Sequence, residues 1–124
     1  MGFDKDVVIL GSRSKIKQQR ARAEELRAEG HNCIVFLDDV EKRGFRKELD
    51  IGEALDVFLD VPLPKPRIEV TWDGISDGVY GDLCVLRYCG YHPHFFDLPP
   101  NLAALAEEGN LCAKLILELM EVGK

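Results

Sequence analysis

The chain has 124 residues, 46% of them hydrophobic and 31% charged, with a formal net charge of −6. That length and composition fit one soluble globular domain over residues 1–124, long enough to bury a core. The acidic balance excludes nucleic-acid binding through a general basic field. No apolar run approaches the roughly 20 residues that span a bilayer, so no membrane partner is expected. No signal peptide opens the chain, and a cytoplasmic location is the expectation.

The first element is Val7-Val8-Ile9-Leu10, a continuous apolar run of the kind that forms a central strand buried on both faces. Gly11-Ser12-Arg13-Ser14 breaks it, and a helix is expected from about Lys15 to Glu29, with Gly30 as its stop. Ile16, Ala23, Leu26 and Ala28 give that helix only a narrow apolar stripe. Cys33 to Leu37 reads as a second strand, closed by Asp38-Asp39. A second helix fits 45–58, where Phe45, Leu49, Ile51, Ala54, Leu55 and Phe58 share one face. The charges from Glu41 to Glu48 suit its solvated entrance. Alternate prolines at 62, 64 and 66 force an extended tether into a third strand, Ile68 to Trp72.

A third helix is expected from Val79 to Cys89, ended by Gly90. Pro93 to Leu98 reads as a fourth strand, and Leu102, Leu105, Leu111, Leu115 and Leu119 mark a terminal amphipathic helix, loosened at Gly109-Asn110. Strand and helix alternate four times. The fold class is therefore α/β, a three-layer flavodoxin- or Rossmann-like parallel sheet of about four to five strands with helices on both faces. Four strands leave edges for a partner subunit to cover, and the apolar last helix suits a homo-oligomer, a dimer, as well as it suits packing on its own sheet.

Chemistry concentrates in two loops. Gly11-Ser12-Arg13-Ser14 follows a strand and opens a helix, which suits an anion held by backbone N–H groups and Arg13. It equally suits an ordinary loop with Ser14 as helix cap. The richer segment is Trp72-Asp73-Gly74-Ile75-Ser76-Asp77-Gly78, with Asp82 in the first turn of the helix that follows. A strand–polar loop–helix unit puts such side chains at the carboxyl end of a parallel strand, where open α/β sheets bind ligands. Asp38 at the end of the second strand could bind a sugar hydroxyl or cap and solvate its loop. The spacing of Cys84, Cys89, His92 and His94 is poor for zinc, so no metal is expected, and no hydrolytic triad accompanies the histidines. Cys33 and Cys112 lie in apolar runs and read as small core residues.

The pattern Ser76-x-Gly78-x-x-x-Asp82-Leu83, preceded by Trp72-Asp73-Gly74, resembles the signature of the nucleoside 2-deoxyribosyltransferase-like family, which includes the 2'-deoxynucleoside 5'-monophosphate N-glycosidases. Gly11-Ser12-Arg13 also matches the family's first strand–helix unit. The resemblance is loose over roughly residues 7–100 and close over 68–83. It implies a small-molecule nucleoside or nucleotide as ligand, no cofactor, and transferase or hydrolase action on the N-glycosidic bond. Carried over, Asp82 is a carboxylate nucleophile at the anomeric carbon, and Asp73 or Asp77 orients it or protonates the leaving base. Ser76 matches a contact to the 5' phosphate, and Gly11, Ser12, Arg13, Asp38, Trp72 and Gly78 complete the substrate pocket. The chain carries Asp82 where the family usually has Glu, and Cys84 where Gly usually follows. A nucleotide-binding module of the same fold without catalysis, or a small interaction domain, are the alternative readings.

Overall fold

A computed structural model of the chain describes residues 7–38, 67–88 and 90–122. The expected helix at 45–58, the proline tether, Asp39, the 41–48 charge run and Cys89 lie outside the described residues. Four strands form one sheet: β1 (Val7–Gly11), β2 (Cys33–Val35), β3 (Arg67–Thr71) and β4 (His94–Phe95). Their order is β2-β1-β3-β4. Every pairing is parallel, with Val7 opposite Cys33 and Arg67, and Glu69 opposite His94.

The layers follow from alternation along the strands. Val8 and Leu10 of β1, Ile34 of β2, and Ile68 and Val70 of β3 point to one face. That face is covered by α2 (Gly78–Tyr88), through Val79, Leu83 and Leu86, and by α4 (Leu111–Val122), through Ala113 and Ile116. Val7, Ile9, Cys33 and Val35 point the other way, onto Ala23 and Leu26 of α1 (Ile16–Ala28). The result is a three-layer α/β fold with helices on both faces of a parallel sheet. No helix among the described residues is long and apolar enough to cross a membrane.

Three expected boundaries move. β2 stops at Val35 and residues 36–38 are helical, because a short apolar run fits a buried helical turn as well as a strand. Phe36 still reaches the core that α2 covers. β4 is only two residues long. Asp97 takes a φ of 48° and turns the chain out of the ladder, and the Thr71 hydroxyl holds that bend by donating to the Asp97 carbonyl at 3.2 Å.

The terminal helix is broken outright into α3 (Leu102–Glu107) and α4. Gly109 adopts a φ of 96°, the left-handed conformation that ends helices, and the Asn110 N–H donates back to Leu105 at 3.0 Å. The Asn110 side chain then caps α4 by accepting the Ala113 N–H at 3.0 Å.

Candidate functional site

β1 has β2 on one side and β3 on the other, so successive connections leave it in opposite directions. The carboxyl ends of β1 and β3 mark the topological switch point, where sheets of this order usually hold a ligand in a crevice. Gly11 and Thr71 are in register and end the two strands level with each other. The backbones meet closely there. A Cβ on Gly11 would lie 2.6 Å from the Thr71 carbonyl oxygen and 2.7 Å from its methyl, and Gly11 has a φ of 156°.

The two loops beyond are tied together by side chains that sit far apart in sequence. The Ser12 and Ser76 hydroxyls lie 2.6 Å apart, and the Asp73 N–H donates to Ser12 Oγ at 3.1 Å. Asp73 Oδ1 accepts the Ile75 N–H (2.9 Å), the Ser76 N–H (2.8 Å) and the Ser76 hydroxyl (3.0 Å). Its other oxygen accepts the Ser14 hydroxyl at 2.5 Å. Two buried side chains brace this network from behind. Trp72 Nε1 donates to the Ser76 carbonyl at 2.9 Å, and Gln19 Nε2 donates to the Ser12 carbonyl at 2.8 Å.

Burial acts to raise the Asp73 pKa, but donation from Ser14, Ser76 and Ile75 outweighs it and holds the carboxyl well below the usual range. Asp73 is therefore ionised at neutral pH. It organises the loop and has no proton to give a leaving base.

Asp82 is the opposite case. It lies on the face of α2 that carries Val79, Leu83 and Leu86, and is 2% exposed. Its Oδ1 is buried with no hydrogen-bond partner among the described residues. Burial alone pushes its pKa up to about 8. The acids also share a neighbourhood. The Cys112 thiol on α4 is pushed up to about 12 by burial first, then by the charges of Asp77, Asp82 and Asp73. One thiol thus lies within electrostatic reach of all three carboxyl groups.

The remaining expected residues divide. Ser12 is buried beside Ser76. Arg13 is exposed in a short 3-10 turn, Arg13–Lys15, and Ser14 does not cap the helix but reaches Asp73. Trp72 is 1% exposed and packs in the core, so it shapes the pocket loop from behind. Asp77 is exposed, and its carbonyl accepts the Tyr80 N–H as α2 begins. Gly78 is exposed, and a Cβ there would meet nothing within 4 Å. Asp38 is held away by a two-pronged pair with Arg20 of α1, at 2.8 and 3.0 Å.

Sequence reasoning missed Ser14, Gln19, Cys112 and Asp97, the last bridged to Lys15 at 3.0 Å. Only Ser14 lay inside a motif it had singled out. Cys84, His92 and His94 belong to no group of three or more ligating side chains among the described residues that could hold a metal.

Comparisons with protein-family models, with curated proteins and with solved structures find no match.

Proposed function

We propose that this chain binds a nucleoside or nucleotide across the carboxyl ends of β1 and β3, as a nucleoside 2-deoxyribosyltransferase-like protein. Its N-glycosidic chemistry centres on Asp82. The observation that carries the reading is the Asp82 carboxyl itself, buried with its Oδ1 unpartnered among the described residues, on the helix that follows the switch-point loop. A carboxyl of perturbed pKa next to such a crevice is a functional-site candidate on physical grounds. The Ser12–Ser76 link supports the reading, because it fixes both loops of the crevice as one unit.

In the catalytic reading, an Asp82 oxygen bonds to the anomeric carbon of the sugar as the carbon–nitrogen bond breaks. The base leaves with that electron pair and takes a proton, and water or a second base later releases the sugar. Only ionised Asp82 can attack. With a pKa of about 8, roughly one molecule in ten is ionised at pH 7. Base release from a panel of deoxynucleosides and their 5'-monophosphates, followed by chromatography, should rise with pH through about 8. It should vanish in Asp82→Asn. Activity that falls over that range assigns Asp82 a proton-donor role, and activity unchanged in Asp82→Asn overturns the catalytic reading.

The same neutral carboxyl favours a second reading. A protonated acid in an apolar site is a good hydrogen-bond donor to a bound base or sugar and a poor nucleophile. Under that reading the panel stabilises the protein against heat and no base appears.

A further inference from the structure

We infer that the crevice face formed by Ser12, Ser14 and Ser76 accepts an uncharged, hydroxyl-bearing nucleoside and rejects a phosphate, because the hydroxyl hydrogens there are already committed, those of Ser14 and Ser76 to Asp73 and that of Ser12 to Ser76. The inference rests on the nucleoside reading above and narrows it to one substrate class.

The assignment of hydrogens follows from the partners. Ser14 donates to Asp73 Oδ2 and Ser76 donates to Oδ1. With the Ser76 hydrogen spent, the 2.6 Å contact between Ser12 and Ser76 can only be Ser12 donating to Ser76 Oγ. Ser12 Oγ in turn accepts the Asp73 N–H. The relay therefore runs in one direction, from Ser12 through Ser76 to the carboxylate. What Ser12 and Ser76 still offer a ligand is oxygen lone pairs.

A phosphate presents acceptors only and needs donors. Four N–H groups of the two loops are occupied: those of Asp73, Ile75 and Ser76 are consumed inside the loop, and that of Lys15 bonds the Ser12 carbonyl. The Lys15 ammonium is bridged to Asp97, and Arg13 has a partner of its own. A phosphate on this face would meet lone pairs, with a full negative charge immediately behind them. A sugar hydroxyl is the complementary group, since it donates to Ser12 or Ser76. On this inference Ser76 meets a sugar hydroxyl rather than the 5' phosphate that the family resemblance implies.

The test is isothermal titration of the full chain with one deoxynucleoside and its 5'-monophosphate, with inorganic phosphate as competitor. The nucleoside should bind, the monophosphate should bind at least about tenfold more weakly because like charges are brought together, and inorganic phosphate should not displace the nucleoside. Asp73→Asn removes the charge and frees the Ser14 hydrogen, so wherever that variant folds the preference should shrink. The wild-type comparison decides by itself. Equal or tighter binding of the monophosphate overturns this inference and leaves the nucleoside reading standing. Binding of neither ligand overturns both.

Discussion

Replacing Asp82 with Asn should make stability nearly independent of pH across a range where the wild-type chain weakens steadily. The folded protein keeps the Asp82 proton up to about pH 8, while the unfolded chain releases it near the ordinary value of 3.8. Between those limits the folded state holds one more proton, so its stability falls as pH rises, by about 1.4 kcal/mol per pH unit. From pH 5 to 7 that amounts to about 3 kcal/mol, and over the whole window to something on the order of 5 kcal/mol. Asp73 has the opposite sign. Its contribution is fully present above its unfolded value and is lost only as pH falls below that, so it does not offset the loss between pH 5 and 7. Cys112 titrates near 12, outside the window. Trp72 is the single tryptophan and is 1% exposed, which makes its fluorescence a direct reporter of unfolding. Urea titrations at pH 5, 6 and 7 should show the wild-type midpoint falling by roughly 1 M or more, for a typical urea slope of about 1–3 kcal/mol per molar. The Asp82→Asn midpoint should stay nearly constant. A wild-type midpoint that is flat or rises over this range, or a variant with the wild-type slope, would refute the claim that this carboxyl is buried without compensation.

Two further substitutions test the scaffold that holds the crevice. Gly11→Ala forces a methyl against the Thr71 backbone at 2.6 Å and should cost about 2 kcal/mol by thermal melting; an unchanged melting temperature would show that the strand ends are not so closely apposed. Arg22→Ala removes the two-pronged partner of buried Glu69, leaving Arg67 at 3.2 Å as its one counter-charge among the described residues, and should cost about 3 kcal/mol in urea unfolding; a loss under 1 kcal/mol would mean that Arg67 and water suffice.

The sheet was readable because its strands carry their own signal. Val7 to Leu10 and Ile68 to Trp72 are apolar enough to demand burial on both faces, and each lies within a residue of the strand observed there. The break in the last helix was half-visible at Gly109-Asn110, yet only the capping bonds made by Asn110 turn a loosening into two helices. What could not be read is whatever depends on contact between distant residues. Ser14 meets Asp73 across 59 positions, and Lys15 meets Asp97 across 82. Nothing local tells a serine that opens a helix that its partner is a carboxylate in the loop after another strand. The family resemblance put Trp72 in the pocket, but its place in strand alternation puts its ring on the core face with Ile68 and Val70. Asp82 carried a fainter local signal: it shares a helical face with Val79, Leu83 and Leu86.

The two buried acids among the described residues show why that face matters. Glu69, 2% exposed on β3, is matched by Arg22 at 2.7 Å and by Arg67, so its charge is neutralised where it lies. Asp82, equally buried on the opposite side of the sheet, has no counter-charge among the described residues and one oxygen without a partner. A chain shaped for stability alone would favour an apolar residue at position 82, since leaving a carboxyl unpaired in the core costs several kcal/mol. The sheet solves the problem of a buried acid once, at Glu69, and leaves it open at Asp82. Asp82 is also the acid on the helix that continues directly from the Ser12–Asp73–Ser76 crevice, on the far side of β3 from that ion pair. Under the proposed function, a hydrogen bond or a reacting carbon supplied from the crevice would relieve that cost. That link between the cost of Asp82 and its position is the physical argument for the proposed ligand site.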